Sequence, residues 1–285
     1  MKNLMEAAIE AARAAGEVLA VGFGRRHEVE RKGPINFVTE VDRDSEEVIC
    51  RILAGRFPHH AILGEEQGAA GGEASDYRWI IDPLDGTTNF IHGFERFAVS
   101  IALERAGQRV VGVVYAPLLD ELYVAERGGG AFLLKDGPGG GLPGGAHRLA
   151  VSNRDKLLGG LLATGFPYEP TPETSNREQV VAVLRRARDI RRFGSAALDL
   201  ADVARGRFDG YWEGSLGAWD IAAGVLLVEE AGGRVTGRDG GPFTLDSGYV
   251  VATNGLIHEE LLAALRSVEV SEGDRVSTHE KILPK

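Results

Sequence analysis

A single cysteine, Cys50, excludes any disulfide within the chain and suits a reducing compartment. Cys50 lies in a helical pattern without a thiolate-activating neighbour in sequence, so it reads as packing and not as a nucleophile. No apolar run is long enough to span a bilayer, and the N-terminus lacks the hydrophobic stretch of a signal peptide. A cytoplasmic protein without a membrane partner is therefore expected. Positive charge is also short: 32 Lys and Arg stand against 42 Asp and Glu, giving a net charge of -10. That balance argues against nucleic acid as the main partner, because phosphate backbones bind basic faces. The densest basic stretch, 185–192 with five arginines, reads as a solvated helix face. What the chain does have is 285 residues with 44% hydrophobic content, enough for a large core in one or two domains.

The most informative string is D-P-L-D-G-T-T-N-F-I-H at 82–92. It follows R-W-I-I, which reads as a buried strand, so Asp82 and Asp85 fall at a strand end, where function in mixed α/β folds tends to lie. Two close carboxylates repel and need a cation, a shared proton or open water. A hard divalent cation answers this best, since magnesium takes carboxylate oxygens and keeps places for water and substrate phosphate. Gly86 permits a sharp turn and close approach of a ligand. The amides of 86–88, if they open a helix, would face an anion. An ordinary acidic surface turn is the competing reading of D-x-x-D alone.

Along the chain, helical spacing covers 3–24. Thr39 and Asp42 have capping-box spacing before a helix that runs to about residue 56. Residues 61–73 read as a Gly-rich acidic loop, although Glu65, just past A-I-L-G, also suits the end of a short strand. Strand-like runs at 97–104, 110–115, 121–125 and 131–134 predict an antiparallel meander. The literal G-x-G-x-x-G at Gly139, Gly141 and Gly144 is interrupted by Pro143 and lacks a βαβ context, so it reads as a flexible loop near a domain boundary. The second half alternates: strand 158–164, helix 175–188, strand 190–193, helix 195–205, strand 208–213, helix 219–231, strand 249–253 and helix 256–265. This predicts an N-terminal α+β half at 1–140 with the metal motifs, a C-terminal α/β half at 141–266 completing the site, and a polar tail at 267–285.

A two-metal site needs further acids. Glu65 and Asp220 stand at element ends and suit inward-facing ligands. Glu65 reads equally as half of an exposed acidic pair with Glu66, and Asp220 as a favourable charge at a helix N-terminus. Asp42 is either a capping residue or the holder of a water. His92, directly after the motif, reads as structural. Ser195 lies outside any G-x-S-x-G elbow, so a serine nucleophile is not expected.

D-P-L-D-G-T-T-N-F-I-H-G, with G-E-E at 64–66 and W-D-I-A-A-G-V-L-L-V-E-E-A-G-G at 219–233, resembles the inositol monophosphatase family. Lys32, F-V-T-E-V-D at 37–42, G-S-A at 194–196 and Y-W-E at 211–213 extend the resemblance over nearly the whole chain. The resemblance implies an α+β fold of alternating layers, an α-β-α-β-α sandwich of the inositol monophosphatase and fructose-1,6-bisphosphatase type. It implies a lithium-sensitive, magnesium-dependent, homodimeric phosphatase. Glu65, Asp82, the Leu84 carbonyl, Asp85 and Asp220 look like ligands for two or three Mg2+ ions. Asp42 and Thr87 look like the pair that orients the attacking water, with Glu65 as a further catalytic group. Gly86 and Thr87 would hold phosphate. Gly194, Ser195, Ala196, Glu213, Asp85 and Asp220 would face substrate. Many relatives carry an acid where Asn36 stands, which would alter a third metal site.

Metal-activated water would thus attack phosphorus in line with the leaving alkoxide, without a phospho-enzyme. Inositol 1-phosphate is the first substrate expectation and fructose 1,6-bisphosphate the second. Histidinol phosphate and 3′-phosphoadenosine 5′-phosphate follow; a substrate with a second phosphate needs cations, for which Lys32, Arg191 and Arg192 are the candidates. Some relatives contact the transcription machinery, so a regulatory binding role is the rival from another class.

Overall fold

Apolar residues that run on without alternation decide the layering. The computed structural model describes residues 2–25, 27, 29–31, 37–72, 75–134, 145–167 and 176–268. In chain order its elements are α1 (Lys2–Gly22), β1 (Val29–Arg31), β2 (Phe37–Thr39), α2 (Glu40–Arg56), β3 (Ala61–Gly64), β4 (Gly68–Ala70), β5 (Tyr77–Asp85), α3 (Thr87–Ile91) and β6 (Ala98–Arg105). There follow β7 (Gln108–Ala116), β8 (Glu121–Glu126), β9 (Gly130–Leu134), β10 (Ala146–Arg148), β11 (Leu161–Thr164), α4 (Arg177–Leu184) and β12 (Asp189–Arg191). The rest are α5 (Ala196–Ala204), β13 (Gly210–Gly214), α6 (Ala218–Glu230), β14 (Arg234–Thr236), β15 (Tyr249–Thr253) and α7 (His258–Arg266).

The large sheet has the order β10-β9-β8-β7-β6-β5-β3-β4, and the smaller one β12-β11-β13-β15-β14. From β5 to β10 each strand pairs antiparallel with the next, the expected meander. Helices α1 and α2 cover one face of the large sheet. Helices α5 and α6 lie between the two sheets. Helices α4 and α7 cover the far face of the small sheet. The result is the α-β-α-β-α sandwich. A helix clamped between two sheets has no polar side, and every residue from Ile221 to Val228 of α6 is buried. The outer α1 instead presents a narrow stripe of Ala7, Ala8, Ala11, Ala12 and Ala15. Small side chains bring it close to the sheet: a Cβ on Gly16 would stand 2.4 Å from the Tyr115 ring.

Several local expectations are corrected. The stretch 61–73 holds β3 and β4, and β3 pairs parallel with β5, so Glu65 does follow a strand. The helix expected over 175–188 is α4, which ends at Leu184. The arginine run is therefore a turn plus the edge strand β12, and Arg191 pairs with Asp189 within it. The edge strand β14 has no counterpart among the expected elements, because three residues are too few to carry a period. Lys32, Asn36, the glycines 139, 141 and 144, the 140/141 boundary and the tail beyond residue 268 lie outside the described residues.

Candidate active site

The last residues of β5 deliver Asp82 and Asp85. On a regular strand, residues three apart point to opposite faces. Here the pairing with β6 shifts register between Asp82 and Asp85, and such a bulge re-aims side chains. The Leu84 amide donates to Asp82 Oδ1 at 2.9 Å, closing the bulge. Opposite Asp82 on β6 stands Ser100, whose hydroxyl donates to the Trp219 carbonyl at 3.1 Å. That bond fixes the start of α6, where Asp220 accepts from the Gly217 amide at 2.7 Å. Ligand oxygens of Asp82, Asp85 and Asp220 consequently lie within 4.8 Å of one another. Glu65 is not in this tight group, but it lines the same cavity.

Burial dominates the electrostatics. It pushes the Asp82 carboxyl well above the usual range, and the charges of Glu65, Asp85 and Asp220 push it further. Asp220 is raised by burial and then by Asp85 and Glu65. Burial pushes Asp85 up to about 6 against the pull of donors from Ser195, Ala197 and Ala196. These donors form a cradle at the start of α5: Ser195 Oγ at 2.5 Å, the Ala197 amide at 2.9 Å and the Ala196 amide at 3.2 Å. Clustered hard oxygens whose ionised forms are disfavoured by burial and by one another are the donor set a hard divalent cation fits.

Around the acids stand the other expected residues. Asp42 is the third residue of α2, and its Oδ2 accepts from the Thr39 amide and hydroxyl at 2.9 and 2.6 Å. Thr87 Oγ1 lies 3.1 Å from both Asp42 Oδ1 and the Leu84 carbonyl and donates to one at a time. The capping and water-holding readings of Asp42 are thus compatible, because its two oxygens face different partners. Gly86 turns with φ 99°, and a Cβ there would press the Arg96 carbonyl at 3.1 Å. Across the cavity, Glu213 accepts from the Tyr211 hydroxyl, and burial lifts its carboxyl to about 7. Gly194, Ser195, Ala196 and the exposed Arg192 complete the wall. His92 is exposed beyond the end of α3 and is not among the residues that line the cavity. Burial also raises the Cys50 thiol to about 11, so no thiolate forms there. The cavity of about 240 Å³ falls below the roughly 300–1,000 Å³ of sites for drug-sized ligands, which suits a small substrate.

Sequence reasoning missed the scaffold of the site. Asn89, inside the quoted motif, donates from Nδ2 to the Arg96 and Phe193 carbonyls at 2.7 Å each and ties α3 to the 193–195 turn. Arg96 pairs with Asp199 and Asp202 of α5 at 2.8 and 2.9 Å. Asn89's place in the motif was the available signal; Ser100 and Arg96 had none.

The family model described as "Inositol monophosphatase family" matches residues 1–269. The chain belongs to the inositol monophosphatase family. An "Inositol-1-monophosphatase" of Mesorhizobium japonicum is 47% identical over 92% of this chain and 96% of its own length. A "Nus factor SuhB" of Pasteurella multocida is 44% identical, over 92% and 95%. Among solved structures, the extragenic suppressor protein suhB from Bartonella henselae is 42% identical and superposes with a TM-score of 0.86, covering 94% of this chain and all of that one. The inositol monophosphatase from Anabaena sp. PCC 7120 is 40% identical with a TM-score of 0.81, over 95% and 98%. Membership supports phosphatase chemistry, and the inositol monophosphatase relatives share the layered sandwich that brings the three aspartates together here.

Proposed function

We propose that the protein is a magnesium-dependent phosphatase that hydrolyses myo-inositol 1-phosphate to inositol and phosphate. The observation that carries this reading is the convergence of Asp82, Asp85 and Asp220 within 4.8 Å, on a cavity shared with Glu65, Thr87 and Glu213. Glu65, Asp82, Asp85, Asp220 and the Leu84 carbonyl would hold two or three Mg2+ ions. Bound there, magnesium lowers the pKa of water and offsets charge on phosphoryl oxygens. The chain's own residues do the positioning. Asp42, fixed by its two Thr39 donors, accepts the Thr87 hydroxyl proton, which leaves Thr87 Oγ1 lone pairs to hold and aim a water at phosphorus. Gly86 and Thr87 open α3, and opening amides have no acceptor within their helix, so they face the phosphate. Glu213, near its titration point at neutral pH, exchanges hydrogen bonds with polyol hydroxyls. Gly194, Ser195 and Ala196 shape the wall on that side. The Ser195 hydroxyl is committed to Asp85, which leaves it no role as nucleophile and agrees with direct attack by water.

Arg192 at the cavity wall favours fructose 1,6-bisphosphate as the second substrate, ahead of histidinol phosphate and 3′-phosphoadenosine 5′-phosphate. A cytoplasmic homodimer inhibited by lithium belongs to the same reading. A second role is favoured by the relatives named Nus factor SuhB: a binding protein of the transcription machinery. Phosphate release from a panel of inositol, sugar and nucleotide monoesters, with Mg2+ and with EDTA, tests the proposal. Turnover led by inositol 1-phosphate and abolished by EDTA supports it. Intact Mg2+ binding without turnover of any monoester favours the binding role.

A further inference from the structure

One face of α2 reaches three separate parts of the site. Asp42, Ser45 and Glu46 stand at positions i, i+3 and i+4, which share a helix face. All three are buried, Ser45 and Glu46 fully. Asp42 meets Thr87. Ser45 donates to the Pro83 carbonyl at 2.9 Å, between Asp82 and Asp85 in sequence. Glu46 accepts from the Glu66 amide at 2.8 Å and the Gln67 amide at 2.9 Å, directly after Glu65. Gly64 gives this carboxylate its room, since a Cβ there would stand 2.4 Å from Glu46 Oε1.

A fully buried carboxylate is costly unless its acceptors are used. Glu46 uses both oxygens on the two amides that follow Glu65. Of the four acids proposed above as metal ligands, Glu65 lies outside the tight aspartate group, and it comes from a different strand end. Its amide donates to the Ile81 carbonyl of β5 at 3.2 Å, and the pairing of Gly64 with Gly68 closes the turn. Within that turn Glu46 takes the next two amides. We propose that Glu46 is a positioning residue that sets divalent-metal affinity by fixing the turn that carries Glu65. This rests on the metal-site reading above.

Glu46→Gln keeps one acceptor and sets an NH2 group against the other amide, so two donors face each other and the turn must move. Mn2+ binding to the metal-free protein, measured by titration calorimetry and by electron paramagnetic resonance, is the primary readout. The expected Kd rises by about tenfold or more, the range seen when outer partners of metal ligands are removed. The Mg2+ concentration for half-maximal turnover rises by a similar factor. In a Glu65→Gln background the further change from Glu46→Gln is within about twofold, because the effect passes through Glu65. An unchanged Kd with only a lower Tm overturns the proposal, as does an equal, additive loss in the Glu65→Gln background. If Glu46→Gln does not fold, Glu46→Asp takes its place, and failure of both to fold makes Glu46 purely structural and overturns the proposal. Wild-type protein that binds no Mn2+ sinks the metal-site reading and this inference with it; normal wild-type binding with an indifferent Glu46→Gln sinks this inference alone.

Discussion

Replacing Asp220 with asparagine should strengthen the metal-free protein while removing its grip on metal. Oxygens of Asp82, Asp85 and Asp220 within 4.8 Å repel one another, when charged, by about 3–4 kcal/mol per pair at an effective dielectric near 20. The fold avoids part of that cost by keeping protons. Asp85, moved from 3.8 to about 6, carries roughly 3 kcal/mol of penalty in its ionised form. Carboxyls whose folded values lie above their unfolded ones give stability that is complete below about pH 4 and lost as the pH rises through 6. Asn at 220 can still accept from the Gly217 amide, and it offers an NH2 group to its acidic neighbours. We expect about 1–3 kcal/mol of added stability at pH 8 in EDTA, shrinking towards zero at pH 4. Urea unfolding at both pH values reads this directly. Calorimetry should show Mg2+ affinity reduced by more than about 100-fold, beyond what outer partners contribute. A variant no more stable than wild type at pH 8 in EDTA, or equally favoured at both pH values, would refute the electrostatic reasoning.

Thr87→Val and Asp42→Asn should lower kcat by about 10²–10⁴-fold, the range for proton-handling groups, with Mn2+ affinity changed only several-fold in a direct titration. Gly224→Ala places a methyl 2.6 Å from Leu200 Cβ where α5 crosses α6, and it should cost about 1–3 kcal/mol in urea unfolding. His258, buried between the Thr253 and Thr236 hydroxyls, is pushed down to about 4 by burial. Its folded value lies below the unfolded 6.5, so the stability it gives is complete above about pH 6.5 and lost as the pH falls towards 4. Ring resonances that titrate near 6.5 in the folded protein would contradict this.

The sequence by itself determined the long helices and strands and the acidic character of the site. The apolar run before Gly232 and Gly233 announced the helix at 219–231, and R-W-I-I before D-P-L-D announced a buried strand ending in acids. Thr39 and Asp42 announced the start of α2 by spacing alone. These signals are local: they record which side chains must leave water and where the backbone must turn. Tertiary structure decided which ends meet. The register shift that aims Asp82 and Asp85 together, the parallel pairing that brings Glu65 beside β5, and the Ser100 bond that seats Asp220 join residues up to more than a hundred positions apart. No one-dimensional period encodes such meetings; they follow from two sheets closing on α5 and α6, where long-range burial outweighs every local preference.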